Sequence, residues 1–144
     1  MSDEPRPTSA GIGRVLIAVY GILALAALGR SGYQIATKFD EAPVAYSLSA
    51  LAAVVYVLAT IALIARGTAW FWVAVVAIGF ELAGVLIVGT LSIVDPVLFP
   101  DDTVWSQFGR GYAFIPLVLP ILGLLWLRRV ARARRGENVG EVVA

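Results

Sequence analysis

Residues Ala69–Val94 read AWFWVAVVAIGFELAGVLIVGTLSIV, an apolar run interrupted by one charged residue, Glu81. A membrane crossing takes about 20 mostly apolar residues to cover a hydrocarbon core of roughly 30 Å. No water is available there for the backbone, so such a run must satisfy its own N–H and C=O groups as a helix. Stretches such as Val73-Ala74-Val75-Val76 lack strict alternation, and the run far exceeds a barrel strand of about 9–11 residues. Working outward, three further runs carry the same signature, at about residues 13–28, 44–65 and 112–127. The predicted fold is therefore all-α: an integral membrane antiparallel four-helix bundle of two hairpins, joined by a tight turn at Arg66–Thr68. Residues 1–12 form an N-terminal tail, 13–127 the transmembrane domain and 128–144 a basic tail.

Composition agrees. Of 144 residues, 60% are hydrophobic and 15% charged, against roughly 45–50% and about 25% in soluble domains. Met1–Ser9 is polar and the first apolar run lacks a small-residue cleavage site, so that run reads as a retained helix. The net charge of +1 conceals an asymmetry, because five arginines lie between Arg128 and Arg135. With four spans, eight basic residues fall on the side of the termini and three (Arg30, Lys38, Arg110) on the other. That imbalance predicts cytoplasmic termini. Trp70, Trp72, Tyr112 and Trp126 stand at span ends, where an apolar ring with a polar tip suits the headgroup region.

The chain has no cysteine and no histidine. Disulfide exchange, thiolate nucleophiles and Cys/His metal sites are excluded, and so is a four-helix quinone reductase of the vitamin K epoxide type. No phosphate-binding glycine loop, metal-ligand spacing or nucleophile motif occurs. The sequence therefore implies no cofactor, no metal and no catalytic residue. Asp95, Asp101 and Asp102 share a loop, but their spacing is not that of a calcium-binding hand, and they read as a solvated acidic loop.

Glu81 is the singular residue. A charge at mid-membrane costs about 2.5–3.5 kcal/mol on insertion scales. Protonation lowers that cost, and so do hydrogen-bond donors from other helices. Tyr20 and Tyr56 lie at similar depth on the first and second spans, with Ser49 and Thr60 near Tyr56. Glu81, Tyr20, Tyr56 and Ser49 thus form a candidate buried polar, ion or proton site. An acid with tyrosine partners can bind a proton or cation during transport; equally it can tie helices together or meet a partner protein. Pro116 and Pro120 predict a kink in the fourth span. The aromatic residues Trp105, Phe108 and Tyr112 suggest a loop that folds back onto the bundle or against a partner. Arg128, Arg129, Arg132, Arg134 and Arg135 are placed on the anionic inner leaflet rather than on nucleic acid, and Gly136–Ala144 reads as disordered.

The segments Gln34–Pro43 and Leu98–Ser106 resemble those of uncharacterised small four-helix integral membrane proteins of actinobacteria. The resemblance implies a plasma-membrane location and supplies no activity. Small multidrug-resistance transporters also have four helices and a membrane-embedded glutamate, but theirs lies in the first span and here it lies in the third, so their mechanism is not carried over. The sequence leads first to a non-catalytic accessory or assembly subunit of a cell-envelope complex, with the lipid bilayer and a homo-oligomer or membrane protein as partners. The alternative is a small oligomeric proton-coupled transporter using Glu81.

Overall fold

A computed structural model describes the backbone of residues 7–143 and the side chains of residues 11–136. The first part of the expected N-terminal tail, including Arg6, lies outside the described residues. Four α-helices follow one another: α1 (Pro7–Lys38), α2 (Pro43–Ile64), α3 (Thr68–Val94) and α4 (Ile115–Val143). Short 3-10 turns occupy Phe39–Glu41, Pro96–Leu98 and Ser106–Tyr112. Among the described residues, three helices are long and apolar enough to cross a membrane. A fourth span is counted if the Ser106–Tyr112 turn and α4, bent by 98° at their junction, act as one.

Prolines set the boundaries. A residue before proline is pushed out of the helical region, and Ala42, Asp95 and Phe99 are all non-helical before Pro43, Pro96 and Pro100. Pro43 then occupies the first turn of α2, where its missing N–H would have had no intrahelical partner. At the other end of α2, Ala65 is extended and its N–H closes on the Ile61 carbonyl at 2.8 Å. Gly67 has φ +117°, a conformation that favours glycine, and it starts α3 by accepting the Phe71 N–H at 3.0 Å.

The helices do not end where the apolar runs end. The first span is expected at about 13–28, and the helix that carries it, α1, has 32 residues, about 48 Å at the helical rise. Hydropathy marks only the part immersed in hydrocarbon, whereas the helix runs on through Arg30 and Gln34 to Lys38. The fourth helix begins at Ile115, not Tyr112, so Pro116 stands in its first turn, where proline is tolerated. The sharp bend therefore precedes Pro116; only Pro120 is inside the helix. The segment read as disordered after Gly136 is helical to Val143.

Helix α1 packs along α2, α2 on α3 and α3 on α4, while α1 and α4 touch more sparsely. Small residues line the inside: Ala27, Ala45, Ala52, Ala53, Ala59 and Ala74 are buried. Large apolar side chains point outward, with Leu25 74% and Val76 68% exposed. This inversion of a soluble protein's pattern suits a lipid surround, in which close backbone approach and not apolar burial drives packing. Ser49, Ala77 and Ala24 are buried as well, whereas Ala18 is exposed.

Candidate functional site: a buried polar layer and the loop that reaches it

Glu81 lies midway along α3 and is fully buried. The Tyr20 hydroxyl on α1 donates to Glu81 Oε1 at 2.6 Å, a short, strong bond if the acceptor is charged. This bond joins two helices distant in sequence at the middle of α3. The Tyr20 and Tyr56 rings sit 6.2 Å apart and tilted by 47°, so Tyr56 belongs to the same layer, but its hydroxyl serves another group: it accepts the Trp105 indole N–H at 2.8 Å. Glu81 Oε2 and the Ser49 hydroxyl are buried with no hydrogen-bond partner among the described residues. Thr60 is turned away and donates to the carbonyl of Tyr56 on its own helix.

Trp105 is the residue that sequence reasoning underrated. Its indole is almost wholly buried and lies against Gly84, one helical turn beyond Glu81. A Cβ at Gly84 would come within 2.6 Å of the ring. Phe108 makes the same contact with Gly89, where a Cβ would meet its ring at 2.5 Å. Two glycine notches on α3 thus receive two aromatic side chains of the following loop. The available signal was the pairing of Gly84 and Gly89 with Trp105 and Phe108. It could not be read locally because the partners lie far apart in the chain.

The loop backbone is pinned by side chains. Gln107 N–H donates to Ser92 Oγ at 2.8 Å, Thr103 N–H to Ser106 Oγ at 2.8 Å and Trp105 N–H to Thr103 Oγ1 at 3.0 Å. Left-handed backbone at Gln107, Phe108, Gly109, Ala113 and Phe114 gives the chain its reversal. Pro116 fills the space beside Gly109, where a Cβ would stand 2.7 Å away.

Nearer the loop end of the molecule, the Tyr46 hydroxyl donates to Asp101 Oδ2 at 2.9 Å, and Lys38 Nζ approaches the same oxygen at 3.8 Å. Partial burial acts to raise the Asp101 pKa. The Tyr46 hydroxyl, the Asp102 N–H, Lys38 and Arg30 together outweigh it and hold the carboxyl below its ordinary value. Among the described residues no group of three His, Cys, Asp or Glu converges to hold a metal ion. Of the tail arginines, Arg134 lies over the Phe71 ring at 5.5 Å, a cation–π contact at the start of α3, while Arg128, Arg129, Arg132 and Arg135 are exposed. Trp126 packs into a third notch, at Gly13.

Chemically, the layer offers one carboxyl, two phenols and a hydroxyl in a closed interior. The larger clefts are lined elsewhere: on the α2–α3 surface by Leu58, Trp72 and Phe80, and between α1 and α4 by Leu16, Leu122 and Trp126. No protein family matches the chain, and neither a curated protein nor a solved structure is significantly similar to it.

Proposed function

We propose that the chain is a non-catalytic membrane protein acting as an accessory or assembly subunit of a cell-envelope complex. In this reading it is an antiparallel four-helix bundle in the plasma membrane, with both termini cytoplasmic, and belongs with the actinobacterial proteins its loops resemble. The observation that carries the proposal is the closed Tyr20–Glu81 contact. The acid in the middle of α3 is fully buried and hydrogen-bonded to another helix, as expected of a group that fixes helix positions. Contacts of Gly13 with Trp126 and of Gly123 with Tyr20 support opposite directions for α1 and α4. Eight basic residues on the terminal side against three opposite support the orientation. Broad apolar surfaces on α2–α3 and α1–α4 offer room for neighbouring helices.

The test is isolation of the tagged protein at native expression in a mild detergent. A stoichiometric membrane partner in the purified particle is expected; a lone monomer would overturn the proposal. A proton-coupled transporter is the second reading. It is favoured by Glu81 Oε2 and Ser49 Oγ, which are buried and without partners among the described residues, since such groups can take a proton or a water.

A further inference from the structure

The basic side chains at the loop end of the molecule are used in two ways. Lys38 is paired with Asp101. Arg30 and Arg110 have no carboxylate within ion-pairing distance among the described residues. Arg30 Nη2 donates to the Asp102 carbonyl at 3.2 Å, and Arg110 Nη1 to Gln107 Oε1 at 3.1 Å. Each guanidinium carries five N–H donors, so most remain for a ligand. Both line one cleft of about 340 Å³, with Asp102, Thr103, Ser106 and Gln107 as its other walls. Thr103 and Ser106 are buried and hydrogen-bonded to each other and to the loop backbone, which gives the cleft a fixed floor.

The depth of this cleft follows from the buried layer. Glu81 is midway along α3, and Tyr20 bonded to it marks the same level on α1. Arg30 lies ten residues beyond Tyr20, about 15 Å along the helix axis. Half of a hydrocarbon core of roughly 30 Å is the same distance. Arg30 therefore stands where hydrocarbon gives way to lipid phosphates, not out in water. Guanidinium is the side chain best matched to phosphate oxygens.

We infer that this cleft binds the headgroup of a phospholipid, with Arg30 and Arg110 on the phosphodiester and the Asp102 carboxylate on the amine of an ethanolamine-type headgroup. The acid decides the headgroup class. Beyond its phosphate a glycerol headgroup offers Asp102 only neutral hydroxyls, whereas a headgroup with both a phosphate and an ammonium finds a charged complement for each. The inference needs only membrane-spanning helices and does not depend on the accessory role.

The test is native mass spectrometry of the full chain, released from bilayers holding equal amounts of phosphatidylethanolamine and phosphatidylglycerol. Preferential retention of phosphatidylethanolamine is expected. Arg30→Gln and Arg110→Gln should each lower retention about tenfold, the effect of one lost charge-assisted hydrogen bond. Asp102→Asn should abolish the preference between the two lipids while retention persists. Arg110→Gln breaks only the contact to Gln107, so its result stands even if Arg30→Gln unsettles the loop. Equal retention of both lipids by the wild type, or undiminished retention by Arg110→Gln, would overturn the inference. Displacement of the lipid by millimolar inorganic phosphate would overturn it as well, by marking the cleft as a site for free phosphate.

Discussion

The connection from α2 to α3 and the connection from α3 to α4 solve different problems. The first, Ala65–Gly67, only reverses the chain. It is not buried, and a glycine at φ +117° makes the turn. The second, from Asp95 to Phe114, turns inward. Its Trp105 reaches the level of the buried polar layer, bonds to Tyr56 and fills a notch in α3. A loop at a membrane surface would normally stay in water, because buried backbone must find partners. Here Ser92, Thr103 and Ser106 supply them. One connection is a short surface turn between helices; the other is part of the core.

This contrast can be broken by substitution. The largest effect is expected at Trp105. Replacing it with Ala should cost about 3–5 kcal/mol, the range for deleting a large buried aromatic, and should release the loop, both measurable by thermal unfolding in detergent and by protease sensitivity. A loss under 1 kcal/mol would mean the loop is not core. Gly84→Ala and Gly89→Ala come next. Each puts a Cβ inside the contact distance of Trp105 or Phe108, so overpacking should cost about 1–3 kcal/mol, and Trp105→Ala should suppress the Gly84→Ala penalty in a double mutant. Backbone strain sharpens the comparison further. Gly67→Ala should destabilise by about 1 kcal/mol, since φ there suits only glycine. Ala113→Gly, at φ 56°, should stabilise by about 1 kcal/mol because alanine resists that conformation. The smallest effect concerns Asp101, which is partly exposed. Its pKa is lowered in the fold, so its contribution is present above the ordinary aspartate value and lost as pH falls through the lowered one. Asp101→Asn should flatten stability against pH in that acidic window alone, checked by denaturation at several pH values.

Much of the helical architecture was legible because a long apolar run has few readings. Ala69–Val94 has one charge and no proline, and α3 spans nearly the same residues. The depth of Glu81 followed from the same run, and Tyr20 was visible as a donor at matching depth. The length of α1 was not legible, since hydropathy reports immersion and not the last helical hydrogen bond. Trp105 as partner of Tyr56 was not legible either. It depends on glycine notches one helical turn and more past Glu81, and on left-handed backbone at non-glycine residues such as Gln107 and Phe108, which local sequence rules disfavour. The orphaned oxygen of Glu81 is a further detail that only three-dimensional packing reveals.

The most direct test of the central claim is proton flux through proteoliposomes containing wild type or Glu81→Gln. Glutamine keeps an oxygen for the Tyr20 hydroxyl, so the helices should remain joined and the variant should fold. If Glu81 fixes helix positions within a non-catalytic subunit, both proteins leave the vesicles equally proton-tight across an imposed pH gradient. A wild-type flux that disappears in Glu81→Gln would contradict the account and make the buried carboxyl a transport site.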